Sequence, residues 1–329
     1  MSRTAGRKLV SLRRVSQASF LALFFLACWK VSDIFIETDP NLMVFTALSG
    51  REFLHKLPAV LIFLVPTLVL GRFYCGWVCP MGTVIDGAGA AGVSLRADAV
   101  GASTLADAVR GRKNGLSDGA NRRVRKPKLV LWALLLVLAL AGFQYAWMLD
   151  PIVIAGRFVS LNLFPLVSRS VDWLFSLASG IPLVGGHFQD FYRGLGGGAE
   201  GLHTYGTLAS WSMFALFVVV AGIAFWIPRL WCRSLCPLGA FYALVAGFAP
   251  MGRKADGCIS CRICSAKCRM GAIRDDGEYE KGECILCMDC VYDCPANITS
   301  FKIARGKQGA VNKLQPISRK DFIFLPYPL

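Results

Sequence analysis

The spacing of eight of the thirteen cysteines constrains this chain more than any other feature. They lie close together near the C-terminal end and form the pattern C-x2-C-x2-C-x3-C twice. The first run is Cys258, Cys261, Cys264 and Cys268, and the second is Cys284, Cys287, Cys290 and Cys294, which Pro295 follows. This spacing is typical of paired cubane iron–sulphur clusters, in which the fourth cysteine of each run binds the other cluster.

The pattern predicts two [4Fe–4S] clusters with crossed ligands. We expect Cys258, Cys261, Cys264 and Cys294 at one cluster, and Cys284, Cys287, Cys290 and Cys268 at the other. A structural zinc ion takes only four ligands, and zinc knuckles use pairs of cysteines. A disulfide framework is typical of small secreted domains. Arg269 replaces the proline expected after the first run, but this residue shapes a turn and binds no iron.

Long apolar segments predict a membrane domain. The chain is 55% hydrophobic and only 17% charged. A bilayer-spanning helix needs about 20 mainly apolar residues. Four segments meet this requirement, roughly Ala18–Ile36, Leu57–Tyr74, Leu129–Leu149 and Thr207–Ile227. No small-residue cleavage site follows the first segment, so we predict that it is not a signal peptide.

The distribution of positive charge predicts the orientation of these spans. The net charge is +15, and basic residues concentrate before the first span and between the second and the third. These residues are Arg3, Arg7, Lys8, Arg13, Arg14, Arg110, Arg112, Lys113, Arg122, Arg123, Arg125, Lys126 and Lys128. By the positive-inside rule, both termini and the cluster domain face the cytoplasm of a bacterial inner membrane. No nucleic-acid partner is expected, because no aromatic and basic surface motif accompanies the charges.

Two passages of the membrane part are alike. Arg72-Phe73-Tyr74-Cys75 continues to Cys79-Pro80-Met81-Gly82, and Arg229-Leu230-Trp231-Cys232 continues to Cys236-Pro237-Leu238-Gly239. Each half also carries an Asp-Pro pair, Asp39-Pro40 and Asp150-Pro151. The sequence therefore predicts an α-helical membrane protein of two parallel repeats, about 15–95 and 129–250, with an axis along the membrane normal.

The four cysteines of the C-x3-C-P motifs admit three interpretations. Spacing of i, i+4 places both thiols of a motif on one helix face, and the proline begins a new helix. Cys75, Cys79, Cys232 and Cys236 are predicted to bind a further cluster or metal, to act as redox-active dithiols, or to pack helix ends. Thiolates suit copper(I) as well as iron.

The Asp-Pro pairs have a local and a chemical interpretation. Asp39 and Asp150 cap helices that begin with proline, or they accept protons from a quinol, since carboxyl groups at membrane depth are costly unless used. Arg72 and Arg229 are expected to anchor the spans at the membrane interface.

The remaining segments complete the predicted organisation. Gly87–Lys128 is expected to be a flexible connector whose charges bind lipid headgroups. The link after Pro151 is expected to hold an interfacial or re-entrant helix over Phe164–Val184. A small α+β cluster domain covers 251–303 after a membrane domain of 1–250, with a hairpin turn at Arg274–Tyr279 and a tail over 304–329.

With both C-x3-C-P motifs and the paired cluster motifs in place, the chain resembles the NapH/MauN-type membrane ferredoxins. It is also similar to the C-terminal membrane module of NosR. The resemblance runs from about Arg13 to Phe301 and is specific at Cys75–Gly82, Cys232–Gly239 and Cys258–Pro295. It implies a quinol dehydrogenase component that passes electrons from the quinone pool to a partner ferredoxin, multihaem cytochrome or reductase subunit. The basic loop, the long link and the tail depart from the family pattern.

Three functions remain open from the sequence. The first is a membrane protein that takes electrons from quinol. The second is a copper-reducing factor for cytochrome oxidase assembly, which the wider family also contains. The third is a non-catalytic membrane anchor and relay for a soluble reductase. The motifs do not set the direction of electron flow, because cluster potentials depend on their surroundings.

Overall fold

The structure is mostly helical. It is a computed structural model that describes residues 3–30, 34–50, 57–100, 118–143, 146–179, 208–255 and 257–303. The longer helices are Arg3–Trp29, Pro40–Gly50, Leu57–Leu70, Pro80–Val100, Asp118–Leu140, Pro151–Phe158, Phe164–Ser179, Leu208–Trp226 and Pro237–Phe248. The short ones are Ile34–Glu37, Tyr74–Trp77, Ala146–Leu149, Leu230–Ser234, Ile263–Lys267 and Asp289–Tyr292. The predicted tail over 304–329 lies outside the described residues.

Two of the described helices are long and apolar enough to cross a membrane, Thr4–Trp29 and Pro151–Ser170. Shorter apolar helices cover Leu57–Leu70, Ser210–Trp226 and Pro237–Phe248. Each of the four predicted spans overlaps one of the longer described helices: Arg3–Trp29, Leu57–Leu70, Asp118–Leu140 and Leu208–Trp226 in turn. The count of four spans stays a prediction.

The segment after Asp150 differs from its expected form. It is a helix from Pro151 that passes through a π-helical stretch, Val159–Leu163, and continues to Ser179. Proline at the first helical position and the Asp150 cap start it, since Asp150 Oδ1 accepts from the backbone N–H of Ile152 at 2.9 Å. The buried part of this helix is its start, Pro151–Ala155. The segment predicted as an interfacial helix, Phe164–Val184, is helical over Phe164–Ser179, its last residues lie outside the described part of the chain, and its interfacial placement stays a prediction.

The prediction of a flexible connector at Gly87–Lys128 is wrong over its described parts. Residues up to Val100 continue the helix from Pro80, and a second helix begins at Asp118. Small residues allow close packing here, because a Cβ on Gly92 would overlap the carbonyl oxygen of Phe225. Glycine at this position brings the helix against Leu208–Trp226, so its role is packing and not flexibility.

The cluster domain contains two antiparallel strands, β1 at Met251–Ala255 and β2 at Thr299–Ile303. Arg253 lies opposite Phe301 in this register. The predicted hairpin at Arg274–Tyr279 is confirmed by an antiparallel bridge between Ile273 and Tyr279. The strands bracket both cysteine runs and bring their ends together.

One hydrophobic cluster joins the helices to the cluster domain. It contains Tyr74, Met81, Ile85, Leu238 and Tyr242 of the helical part, and also Met270, Ala272 and Ile285 beside the cysteines. Burial of this apolar surface holds the cluster domain directly on the ends of the helices.

Candidate iron–sulphur site

Four cysteines surround a cavity in the cluster domain. Cys284, Cys287 and Cys290 of the second run line it together with Cys268 of the first run. Leu286 and Met288 have φ of 51° and 63°, in the left-handed region. These left-handed residues curl the loop, and three of its cysteines line the cavity. The wall opposite the thiols is apolar and includes Ala272, Ile273 and Phe301.

A second cavity lies beside the first run. Cys258 and Cys264 line it. Cys261 interacts electrostatically with Cys294 and Cys258, so the last cysteine of the second run lies next to the first run. Burial raises the pKa of Cys294, but the Thr299 hydroxyl and nearby backbone N–H groups outweigh burial and lower it. These donors favour a thiolate at that position.

The donor set fits cubane clusters. Cys268 of the first run lines the cavity of the second run, and Cys294 of the second run lies near Cys261, an arrangement that suits crossed ligands. Among the described residues, no three His, Cys, Asp or Glu side chains converge as a single metal ion would need. A cubane takes one thiolate on each of four irons, so its ligands stand apart around a cavity.

The first C-x3-C-P motif lies against the loop of the second run. Trp77 Nε1 donates to the carbonyl of Leu286 at 3.0 Å. A Cβ on Gly76 would overlap the carbonyl oxygen of Ile285, so only glycine fits at this contact. Arg13 of the N-terminal helix donates to the carbonyl of Cys287 at 3.1 Å. The helical part therefore contacts the backbone that presents the cysteines.

All four C-x3-C-P cysteines are buried. Cys79 Sγ accepts from the backbone N–H of Gly82 at 3.4 Å, and Cys236 Sγ accepts from that of Gly239 at 3.1 Å. Cys232 and Cys236 interact electrostatically with Cys75, which belongs to the other motif. The two motifs thus face one another across the centre of the molecule.

Arg72 and Arg229 are not interface anchors, because both are fully buried between the two motifs. Arg229 Nη1 donates to the carbonyl of Cys75 at 2.7 Å, and Arg72 Nη2 donates to that of Cys232 at 3.0 Å. Each arginine thus binds the first cysteine of the opposite motif. Carboxylates inside the protein compensate their charges. The charge of an interface anchor would instead be compensated by lipid headgroups.

Asp86 is the acidic partner on one side. It binds Arg229 through both carboxylate oxygens, at 2.7 and 2.8 Å, and it also pairs with Arg13 at 3.1 Å and with Arg269 at 3.3 Å. Burial raises the pKa of Asp86, but the three guanidinium groups outweigh burial and hold it well below its usual range. The carboxylate joins the N-terminal helix, both motifs and the cluster domain.

Glu283 is the corresponding partner on the other side. It pairs with Arg72 at 3.0 Å and with Lys128. Burial raises the pKa of Glu283, but Arg72 and Lys128 outweigh burial and lower it. Arg125 donates to the carbonyls of Met270 and Gly271. Arg125 and Lys128 therefore bind the cluster domain, where lipid headgroups were the expected partners.

Asp39 and Asp150 come together although they lie far apart in sequence. Their carboxyl groups interact electrostatically, and Asn41 Nδ2 donates to Asp150 Oδ2 at 3.4 Å. Burial raises the pKa of Asp39, and Asp150 raises it further; burial raises that of Asp150 to about 6. Both also cap helices, as the local interpretation predicted.

Two tyrosines lie near this carboxyl pair. Tyr74 and Tyr242 stack with ring centroids 5.2 Å apart, and both are fully buried. Their hydroxyl groups have no hydrogen-bond partner within the described part of the chain. Both interact electrostatically with Asp39 and Cys79. Carboxyl, phenol and thiol groups therefore share one buried region between the motifs.

Comparison with known proteins supports the iron–sulphur assignment. Residues 57–96 and 209–255 match the 4Fe-4S binding domain family, and residues 256–299 match the NosR family. The methylamine utilization ferredoxin-type protein MauN of Paracoccus denitrificans is 28% identical over 275 residues, 78% of this chain and 74% of MauN. A regulatory protein NosR sequence of Pseudomonas aeruginosa is 34% identical over 94 residues, 26% of this chain and 93% of that sequence. The chain belongs to the NosR/MauN-like iron–sulphur membrane proteins.

The coverage of NosR/MauN-like relatives varies widely. An uncharacterized protein of Methanocaldococcus jannaschii is 24% identical over 309 residues, which are 92% of this chain and 99% of that protein. The NosR of Pseudomonas aeruginosa strain PAO1 is matched over only 13% of its length. No solved structure matches the chain significantly. The relatives establish an iron–sulphur electron-transfer protein of the membrane.

Sequence reasoning missed several groups of this NosR/MauN-like protein. Asp86 and Glu283 stand in no motif, and Arg13 is one of several basic residues near the N-terminus. The signal for Asp86 was its position as an isolated acid in an apolar, glycine-rich segment. A buried acid of this kind requires a cationic partner, and the two arginines of the C-x3-C-P motifs, Arg72 and Arg229, were candidates for that partner.

Proposed function

We propose that this protein oxidises a membrane quinol and passes the electrons to a partner redox protein. The main observation is the direct contact between the first C-x3-C-P motif and the loop of the second cysteine run, made by Gly76 and Trp77. This contact provides a short path between the buried groups of the helical part and the cluster domain.

The eight cysteines of the cluster domain hold two [4Fe–4S] clusters in this proposal. Cys258, Cys261, Cys264 and Cys294 would hold one, and Cys268, Cys284, Cys287 and Cys290 the other. The clusters supply one-electron transfer when bound. Arg13 and Trp77 support the second set by binding the carbonyls of Cys287 and Leu286. The family relationship supports clusters of this type.

Asp39 and Asp150 accept the protons that quinol oxidation releases. A two-electron quinol loses two protons, so its site needs more than one acceptor. The buried carboxyl groups of Asp39 and Asp150 together supply two acceptors, and burial raises the pKa of both. Tyr74 and Tyr242 lie near this carboxyl pair and carry hydroxyl groups that are able to orient a quinol oxygen. The raised pKa of Asp150, about 6, suits a group that gains and loses a proton near neutral pH.

The C-x3-C-P cysteines serve this site as buried thiols. Cys79 and Cys236 accept backbone hydrogen bonds at the starts of helices, and Arg72 and Arg229 hold the other two through their carbonyls. Analysis of iron and copper in the protein distinguishes this role from a further metal centre.

The membrane arrangement belongs to the same proposal. Four spans in two parallel repeats place the cluster domain on the cytoplasmic side of a bacterial inner membrane. The basic residues before the first predicted span and between the second and third predicted spans support this orientation. The helix from Pro151 is long and apolar enough to be a fifth span, and a fifth span would place the cluster domain on the opposite side. Fusing green fluorescent protein or alkaline phosphatase to the C-terminus tests the side: fluorescence supports a cytoplasmic cluster domain, and phosphatase activity contradicts it.

Quinol-driven reduction of the clusters tests the function. The purified protein is mixed with a reduced short-chain quinone, and cluster reduction is followed by EPR. We expect reduction in the wild type and a loss of at least about tenfold in rate in Asp39→Asn, since general base groups contribute about 10²–10⁴-fold. Asparagine keeps the helix cap and can donate to Asp150, so the fold should be retained.

The controls separate the remaining functions. Dithionite should still reduce both clusters in Asp39→Asn, which shows that the clusters are intact. If quinol fails to reduce the wild type while a partner reductase still binds, the protein is an anchor and relay. If the purified protein holds copper at the C-x3-C-P cysteines and ignores quinol, it is a copper-reducing assembly factor.

A further inference from the structure

Arg253 lies between the two cysteine-lined cavities of the cluster domain. It stands on β1 opposite Phe301, and it lines both cavities. It is only 8% exposed, and Nη2 donates to Cys264 Sγ at 3.4 Å. The same guanidinium interacts electrostatically with Cys284 and Cys290 of the other cysteine set. One positive charge thus faces thiols of both sites.

The surroundings of Arg253 do not otherwise balance its charge. Its Nε has no hydrogen-bond partner, and the described residues contribute no carboxylate that pairs with it. A buried arginine without an anionic partner is costly, because it loses its hydration without compensation. Asp275 and Asp289 line the same cavities but bind Ser265 and Arg269, so the groups left to compensate Arg253 are the cysteine thiolates of the two sets.

We propose that Arg253 is a positioning residue that raises the reduction potentials of both clusters together. Reduction adds an electron to a site that is already negative, so a nearby fixed cation favours the reduced form. A hydrogen bond to a cysteine sulphur acts in the same direction. This inference rests on the proposed occupancy of the two cysteine sets, and it adds a shared electrostatic control that the cysteine motif does not contain.

Strand geometry provides a matched control. Lys254 is the next residue on β1, carries the same charge and is exposed. Successive side chains on a strand point to opposite faces, so Lys254 points away from the cavities. Water and salt screen an exposed charge of this kind. Removing the Lys254 charge tests whether any positive charge on the strand suffices.

The experiment is an EPR-monitored redox titration of the full-length protein with iron and sulphide analysis. We expect Arg253→Met to retain full iron content and to shift both cluster potentials downward. The expected shift is at least about tenfold in the reduction equilibrium, or about 59 mV for one electron. Arg253→Lys should recover part of the shift, and Lys254→Met should leave both potentials near those of the wild type.

Several results would overturn the proposal. Unchanged potentials in Arg253→Met would show that the guanidinium does not control the clusters. A shift at one cluster alone would refute the shared control. An equal shift in Lys254→Met would show a general surface effect. If Arg253→Met loses iron, Arg253→Gln is titrated in its place with the same expected fall; unchanged potentials there would likewise overturn it. Wild-type protein without iron would refute the cluster assignment itself.

Discussion

Replacing Gly76 by alanine should loosen the contact between the helical part and the second cysteine run. The new Cβ would lie well inside 3.0 Å of the carbonyl oxygen of Ile285, a separation that real Cβ atoms essentially never reach. The obstacle is backbone and not the end of a flexible side chain, so either the short helix Tyr74–Trp77 or the cysteine loop must move. That movement also lengthens the hydrogen bond from Trp77 to Leu286.

The magnitude follows from three contributions. Overpacking costs about 1–3 kcal/mol. A weakened hydrogen bond costs about 1 kcal/mol. Alanine in place of a helical glycine stabilises the helix by about 1 kcal/mol, which offsets part of this cost. The net cost is therefore about 1–3 kcal/mol, and each 1.4 kcal/mol corresponds to about tenfold in an equilibrium constant. The population with the loop opened should rise roughly tenfold to a hundredfold.

Amide hydrogen exchange measures this opening directly. The peptide that contains Cys284–Cys290 is followed by mass spectrometry of the purified protein in detergent, where the exchange rate reports local opening. We expect faster exchange of this peptide in Gly76→Ala. Gly87→Ala is the matched control, because a Cβ there meets nothing within 4 Å and should leave exchange unchanged. Equal exchange in wild type and Gly76→Ala, at equal iron content, would refute the reasoning.

Further predictions concern the buried charges and the ligand sets. Asp86→Asn should lower the free energy of unfolding by about 3–5 kcal/mol, because it leaves the charges of Arg229 and its neighbours uncompensated. The control Asp276→Asn, at an exposed position, should change it little. Equal thermal unfolding of the two variants would contradict this. The folded pKa of Asp86 lies below its unfolded value of about 3.9, so the pairing is complete above that pH and is lost as pH falls further. The acid-induced loss of stability should therefore be weaker in Asp86→Asn than in the wild type, as measured by unfolding from pH 6 down to pH 2. Burial lowers the pKa of Lys128 to about 8 in the folded protein, whereas the unfolded chain has a lysine pKa of about 10.4. Between these two pH values the unfolded chain binds more protons than the folded protein. The free energy of unfolding therefore rises with pH through this interval. The difference in stability between wild type and Lys128→Met should change over that interval, and a constant difference would show that Lys128 does not titrate there. Cys268→Ser and Cys287→Ser should remove the same cubane EPR signal, and Cys261→Ser and Cys294→Ser the other one, while Cys75→Ala leaves both; any other pairing would disprove the crossed assignment.

The sequence predicted the groups that carry recognisable spacing. The cysteine runs, the two C-x3-C-P motifs and the hairpin at Arg274–Tyr279 all depend on residues close together in the chain. Local geometry determines such features, since a cluster loop or a turn is built from neighbouring backbone. The helical class followed equally from the apolar segments, because their length and composition are local properties too.

The tertiary structure decided which charges meet. Arg72 and Arg229 looked like interface anchors, and Gly87–Lys128 looked like a flexible connector, because a single sequence shows the charge and not its partner. Asp86 and Glu283 lie far along the chain from the arginines they bind. Isolated buried charges are unstable in an apolar interior, so Arg72 and Arg229 pair where packing brings a carboxylate and a carbonyl. That pairing is a property of the packed chain, and no local pattern encodes it.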